Sequence, residues 1–288
     1  MLSIALYSRK YHEPQQFTDK LISHLSERGN QLFLHENIYT GGEHRSFSGH
    51  DTLRECGKVD FMVSVGGDGS FIDAANIVGD LGIPLVGINT GRIGFLSAIR
   101  KDDFARCFEM LEKGEYRLEQ RSLLHVEGSE PLGLATDFVV NDVTVRATDT
   151  DSINAITVST ADGQRVNTYW ADGLIMATPT GSTAYSMSCG GPILHPLTDV
   201  TVLTPIASHS LSVRPLVIPA SQPLRIDVDG RGGKYSLCVD TQRIIVGNNV
   251  SLFVSKEKFS INTVLFNGGS FYSTIREKLL WGLDKRNA

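Results

Sequence analysis

The chain has 288 residues, 41% of them hydrophobic and 20% charged, a balance that supports one large buried core or two ordinary ones. Its formal net charge of −5 and the lack of any basic run exclude a general attraction to nucleic acid or to an anionic membrane, leaving a small soluble ligand as the expected partner. The cysteines Cys56, Cys107, Cys189 and Cys238 stand far apart, with no Cys-x-x-Cys pair and no histidine at metal-ligand spacing, so reduced thiols are expected.

Residues 2–7 form a short apolar stretch, interrupted by Ser3 and followed by Arg9, Lys10 and His12. It is too short for the apolar core of a signal peptide and reads as a first β-strand in a cytoplasmic protein. Residues 14–28 read as a helix, with Phe17, Leu21 and Leu25 on one face and Gly29 as its stop. Residues 32–34, 61–65 and 83–88 are strands, and between the last two Phe71, Ala74, Ala75 and Val78 recur at helical spacing. Strand, tight turn, helix and strand in that order make a βαβ unit with a parallel sheet.

The texture changes past residue 98. One helix, 101–113, precedes short runs of Val, Ile, Leu and Thr broken by Gly, Asp and Asn, at 123–126, 138–140, 143–146, 153–158, 173–177, 216–218, 224–228, 235–239, 243–246 and 251–254. Strands so spaced point to a β-sandwich. Near the end the pattern returns to helix, with Ile275 and Leu279 four apart. The expected organisation is therefore an α/β domain with a parallel sheet over 1–97, an all-β sandwich over 98–267, and a terminal helix, 268–288, packing back on the first domain.

The sharpest chemical feature is Gly66-Gly67-Asp68-Gly69-Ser70, just after the strand at 61–65 and just before a helix. In a parallel sheet that is where ligands bind. Its glycines allow positive φ and close backbone approach, so consecutive N–H groups suit phosphate oxygens. A carboxylate facing phosphates is repelled unless Asp68 binds magnesium or takes a proton from an attacking hydroxyl, and phosphoryl transfer uses both roles. The plain alternative is a turn in which Asp and Gly are favoured residues.

A second constellation runs from Asp172-Gly173, through the apolar 174–177, to Thr178-Pro179-Thr180-Gly181-Ser182-Thr183-Ala184-Tyr185-Ser186. Its hydroxyls and acid suit ribose or phosphate, small Ala184 admits a ring, and Tyr185 can stack on it; a polar loop is the alternative. Gly190-Gly191-Pro192 follows as a sharp bend. Asn89 either bonds a ligand or caps its own turn, and Asn141-Asp142 either reads a nucleoside or forms a hairpin turn. His195 and His209 read as structural, and Arg214-Pro215 as a surface pair. No Walker A sequence, Gly-x-Gly-x-x-Gly or Gly-x-Ser-x-Gly elbow is present.

Taken as an ordered set, these stretches resemble the NAD kinase family. Gly66-Gly67-Asp68-Gly69, Asn89-Thr90-Gly91 with Gly94-Phe95-Leu96, Asn141-Asp142, Asp172-Gly173 with Thr178 to Tyr185, Gly190-Gly191-Pro192, and His209-Ser210-Leu211 with Arg214-Pro215 look like that family's successive motifs. The resemblance runs from about residue 60 to 245 and is most specific in the Thr-Pro-Thr-Gly-Ser-Thr-Ala-Tyr block. It implies an α/β domain, a β-sandwich and a ligand cleft between them, with ATP and a divalent metal such as magnesium serving the transfer. It implies that Asp68 acts on the 2′-hydroxyl of the adenosine ribose of NAD, and that Gly66, Gly67, Gly69 and Ser70 hold donor phosphates. NAD contacts carry over to Asp68, Gly69, Asn141, Asp142, Asp172, Thr183, Ala184, Tyr185, Ser188 and Gln242. A homodimer or homotetramer, in which a neighbouring subunit helps close the NAD site, is also implied. The chain departs from the pattern at Asp142, where the family commonly has Glu, and at Asp240-Thr241-Gln242, where Asp-Gly-Gln is expected.

Three other readings share parts of this pattern. A diacylglycerol or sphingosine type of lipid kinase shares the Gly-Gly-Asp-Gly turn but does not account for 178–185. Phosphofructokinase shares the turn without the β-rich second half. A non-catalytic NADP-binding sensor would bind without turnover.

Overall fold

The computed structural model describes residues 1–9, 15–91, 94–97, 99–148, 153–266 and 270–280. Pro14 of the expected first helix, Arg92 and Ile93 of the Asn89 stretch, and 268, 269 and 281–288 of the expected terminal helix lie outside the described residues.

Two compact units emerge, Met1–Gln120 together with the chain from Ile261 onward, and Arg121–Ser260. The first carries, in order, β1 (Ser3–Ser8), α1 (Gln15–Glu27), β2 (Gln31–His35), β3 (Arg45–Phe47), α2 (His50–Glu55), β4 (Phe61–Gly66), α3 (Asp68–Val78), β5 (Leu85–Asn89), β6 (Ile99–Arg100) and α4 (Phe104–Lys113). The chain passes into the second unit within β7 (Tyr116–Gly128). There follow β8 (Phe138–Val139), β9 (Asp142–Ala147), β10 (Asn154–Thr160), β11 (Arg165–Ala171), β12 (Gly173–Ala177), α5 (Tyr185–Ser188), β13 (Val200–Ile206), β14 (Leu216–Pro219), β15 (Leu224–Asp229), β16 (Lys234–Val239) and β17 (Gln242–Gly247). The chain returns within β18 (Leu252–Phe266) and ends its described part in α6 (Phe271–Leu279).

The sheet of the first unit has the order β3-β2-β1-β4-β5, and every neighbouring pair is parallel. Its strands are apolar almost without interruption, as Ile4, Ala5, Leu6, Met62, Val63, Leu85 and Val86 show, because a parallel sheet is covered on both faces. The chain winds outward from β1 to β3 on one side and from β4 to β5 on the other. The order therefore reverses between β1 and β4, and the crevice beyond their carboxyl ends is the expected binding place in such a sheet. Arg9 leaves β1 there, and the glycine turn leaves β4.

In the second unit, β11-β10-β15-β18 form one antiparallel sheet and β14-β13-β12-β9-β16-β17 the other. Ile156, Val158, Tyr169 and Ile226 of the first pack with Val143, Val145, Leu174, Met176 and Leu237 of the second in one buried cluster, which is the core of a sandwich. In β10 buried residues alternate with half-buried ones, as one covered face requires.

Several elements differ from the sequence reading. Strands 165–171 and 200–206 are additional; β13 holds Pro205, which lowers a strand's apparent propensity, yet it pairs antiparallel with β12 from Gly173↔Ile206 to Ala177↔Val202. Asn141-Asp142 is not a hairpin turn: β8 pairs with β7, whereas β9 pairs with β12 and β16, so the chain changes sheets at these residues. The unit boundary lies at 120 and not at 97, because Phe104, Phe108 and Leu111 of α4 are buried in the core cluster of the first unit.

Candidate active site

β4 ends at Gly66, Gly67 caps the next helix, and α3 begins at Asp68. Gly66 has φ of +146°, and a Cβ there would lie 2.3 Å from the Ser70 hydroxyl oxygen, so the chain turns this tightly only because the residue is glycine. A Cβ on Gly69 would lie 2.6 Å from an Arg9 guanidinium nitrogen. Arg9 was not legible as a site residue, yet it rests against the turn. It is held there by Asp73 of α3, which accepts from Arg9 Nη2 at 3.0 Å and from Nε, and also from the Tyr7 hydroxyl at 3.0 Å.

The Asp68 carboxylate accepts hydrogen bonds from three consecutive backbone N–H groups, Phe95 to Oδ2 at 2.7 Å and Leu96 and Ser97 to Oδ1 at 3.0 and 3.1 Å. The carboxylate comes so close to this segment that a Cβ on Gly94 would lie 1.8 Å from Oδ1. Gly94-Phe95-Leu96 is thereby brought to the glycine turn. A carboxylate offers about four acceptor positions. Among the described residues Oδ1 accepts two bonds and Oδ2 one, so the position these residues leave open is on Oδ2. Asn89 is buried and its Oδ1 accepts from the Gly91 N–H at 2.8 Å, so it caps its own turn. Lys278 of α6, a second residue that the sequence did not single out, places its ammonium 5.4 Å from the centroid of the Phe95 ring.

The second constellation is built around another aspartate. Asp240 accepts from the N–H groups of Val140 at 2.7 Å, Asn141 at 2.9 Å and Asp142 at 3.2 Å. Its own N–H donates to the Asp142 carbonyl at 3.1 Å, and its φ is +48°. Thr241 is not among the positive-φ residues, so the missing glycine of Asp-Gly-Gln costs no backbone strain. The Thr178 hydroxyl donates to the Val140 carbonyl at 2.6 Å and accepts from the Gly181 N–H at 3.0 Å. A Cβ on Gly181 would lie 2.1 Å from the Asn141 carbonyl oxygen, so only glycine lets the 178–185 segment lie on the Asn141 backbone. Ser182 donates to the Pro179 carbonyl at 2.6 Å and accepts from the Leu194 N–H at 3.0 Å, while Ser186 and Thr204 pair at 2.8 Å. These hydroxyls are structural. Thr183 is half-buried, donating weakly to the Thr180 carbonyl at 3.3 Å, and Tyr185 and Ser188 are exposed.

The Asp142 side chain accepts from the Thr144 hydroxyl at 2.7 Å. Burial pushes its carboxyl above the usual range, and that hydrogen bond opposes the shift. Asp172 is exposed and lines a cleft of about 400 Å3 with Arg146, Ser236, Cys238 and Arg243. Burial also raises the Tyr185 hydroxyl, while the charge of Arg146 pulls it back. Arg146 and Arg243 went unnoticed in the sequence because single arginines at strand positions carry no motif. Gln242 is committed elsewhere: its Oε1 accepts from the Ala135 N–H at 2.8 Å and its Nε2 donates to Thr136 Oγ1 at 2.6 Å. Arg214 donates to the carbonyls of Leu211 and Val213, and His195 accepts from the Leu197 N–H, in keeping with plain structural roles.

Burial pushes the Asp240 carboxyl up to about 7, against the three N–H groups that favour its charged form. An unfolded aspartate titrates near 3.9. From about pH 4 to 7 the folded state thus holds more protons than the unfolded one, so this contribution to stability is complete below about pH 4 and is lost as pH rises through 7. Asp240→Asn removes the ionisation. In urea titrations wild type should lose unfolding free energy relative to this variant between about pH 4 and 7 and hold level above; a pH-independent difference would contradict a raised Asp240.

Residues 12–116 match the family model described as ATP-NAD kinase N-terminal domain, and residues 140–264 match that of the ATP-NAD kinase C-terminal domain. An NAD kinase of Cytophaga hutchinsonii is 38% identical over 98% of this chain and 99% of its own, and one of Flavobacterium psychrophilum is 37% identical over 99% and 100%. Among solved structures, yeast NADH kinase complexed with NADH is similar with a TM-score of 0.86 at 21% identity, covering 100% of this chain and 90% of that one. An NAD kinase from Archaeoglobus fulgidus in complex with ATP has a TM-score of 0.72 at 22% identity, covering 96% and 99%, and at such identities both likenesses speak for the fold. With both family models matched and relatives aligned from end to end, the chain belongs to the NAD kinase family.

Proposed function

We propose that this protein transfers the terminal phosphoryl group of ATP to the 2′-hydroxyl of the adenosine ribose of NAD, producing NADP and ADP. The observation that carries the reading is the Asp68 carboxylate, fixed by three N–H groups at the glycine turn with an acceptor position open on Oδ2. One open lone pair suits one hydroxyl proton, and the neighbouring Arg9 and helix N-terminus favour phosphate oxygens. In this reading Asp68 accepts the ribose proton, and Gly66, Gly67, Gly69 and Ser70 border the donor phosphates. Gly69, Asn141, Asp142, Asp172, Thr183, Ala184, Tyr185 and Ser188 contact NAD. Gln242 acts by holding residues 135 and 136, since its amide is already bonded to them. A lipid kinase offers no role for the backbone lock between Gly181 and Asn141, and family membership sets that reading aside.

Among the described residues no group of three or more His, Cys, Asp or Glu side chains is placed to hold a metal ion. In this reading magnesium enters with the nucleotide, bound mainly through its phosphates as part of the co-substrate. Free thiols at all four cysteines accord with residence in the cytoplasm, and among the described residues no helix is long and apolar enough to cross a membrane. Trp170 and Leu211 are 56% and 90% exposed, apolar surface that a homodimer or homotetramer would cover. Light scattering should return a dimer or tetramer mass; a monomer at assay concentration would contradict the assembly.

Asp68→Asn should lower NADP formation by about 10²–10⁴-fold, the usual worth of a positioned proton acceptor, while NAD still binds. An assay with NAD, ATP and magnesium, read through an NADP-specific dehydrogenase and paired with NAD titration calorimetry, checks both. A variant with near-normal turnover would remove Asp68 from the chemistry.

A further inference from the structure

The Nζ of Lys278 is shielded from solvent and has no hydrogen-bond partner among the described residues. An ammonium group in that condition is costly unless an anion completes its surroundings. Its company is specific: the Phe95 ring at 5.4 Å, and the carboxylate of Asp68, whose charge favours the protonated amine without a hydrogen bond between them. Phe95 in turn donates its N–H to that carboxylate. Lys278, Phe95 and Asp68 thus form one cluster at the amino end of α3, and the first unit supplies all of it. Burial draws the Lys278 ammonium downward, while Asp68 and then Glu277 hold it up.

Asp68 does not satisfy this cation. No ion pair closes between them, and the acceptor position that the described residues leave on the carboxylate suits the ribose hydroxyl. Arg9, which lies against Gly69 of the turn, already has its counter-ion in Asp73. The ammonium has three N–H donors, and a phosphoryl group in transfer spreads its negative charge over three equatorial oxygens. A phosphoryl group delivered to a hydroxyl held at Asp68 would supply the missing anion.

Resting on the kinase reading above, we propose that Lys278 is a catalytic residue whose ammonium binds the terminal phosphoryl group of the nucleotide donor during its transfer. The new bond forms between the ribose 2′-oxygen and the terminal phosphorus. The bond from that phosphorus to the β,γ-bridging oxygen breaks, and the bridging oxygen leaves on ADP with the electron pair. The hydroxyl proton goes to Asp68, and Lys278 keeps its own protons throughout. Its contribution is electrostatic, an already placed charge that needs no reorientation from solvent.

The test compares wild type with Lys278→Met and Lys278→Arg in initial-rate assays that vary ATP and NAD separately, together with thermal unfolding and NAD calorimetry. Lys278→Met should lower kcat/KM for ATP by about 100-fold or more, the usual loss for one transition-state donor. Its NAD affinity and Tm should hold or, for Tm, rise, because an unpaired buried charge has been removed. Lys278→Arg should recover part of the rate. Lys278→Met within threefold of wild type in kcat/KM for ATP would overturn the proposal, as would a loss that Arg does not relieve and that accompanies a lower Tm or weaker NAD binding. Absence of NADP from wild type would instead overturn the kinase reading itself.

Discussion

The attachment of the Asp68 carboxylate to the N–H groups of Phe95, Leu96 and Ser97 is the constraint around which the first unit's site is arranged. It joins the turn after β4 to the segment after β5, neighbouring strands of the parallel sheet. Hydrogen bonds to a charged acceptor contribute about 1.5–3 kcal/mol each, so the carboxylate is held far more firmly than an exposed aspartate would be. Among the described residues the bond pattern also leaves it chemically incomplete, with an acceptor position free on Oδ2. Positioning and reactivity therefore come from the same three contacts. Two glycines make them possible: Gly66, which bends the chain over Ser70, and Gly94, which gives the carboxylate room.

The second unit uses the same device with a different outcome. Asp240 also accepts from three consecutive N–H groups, those of Val140, Asn141 and Asp142, where the chain crosses from one sheet of the sandwich to the other. Here the carboxylate is buried and its pKa climbs to about 7. Its role is to hold the Asn141-Asp142 backbone in place, and Thr178 and Gly181 lock the same backbone from the other side. The Thr-Pro-Thr-Gly-Ser block thus spends most of its hydroxyls on its own shape. Tyr185 and Ser188, which follow it, are the exposed side chains of this stretch's helix.

Much of this was legible in the sequence, because the chemistry sits where local pattern and sheet topology agree. The glycine turn follows an apolar strand and opens a helix, and both features survive in β4 and α3. The β-rich second half was also legible, apart from β11 and from β13, where Pro205 disguised a paired strand. Residues that act at a distance were not. Gly94 looks like any loop glycine until the Asp68 oxygen lies where its Cβ would be, and Arg9 looks like a polar strand end until the reversal of strand order sets it against Gly69. Lys278 reads as one polar position of a short terminal helix, and only the fold brings it to Phe95. Gln242 shows the converse: motif position nominated it for a ligand, and geometry gives its amide to residues 135 and 136.

The most direct test of the account is a crystal structure of the protein with NAD bound. The ribose 2′-oxygen should lie about 2.6–3.2 Å from Asp68 Oδ2, with the bonds from Phe95, Leu96 and Ser97 retained. A 2′-hydroxyl held by another residue, or an Asp68 carboxylate turned away from those three N–H groups, would contradict it.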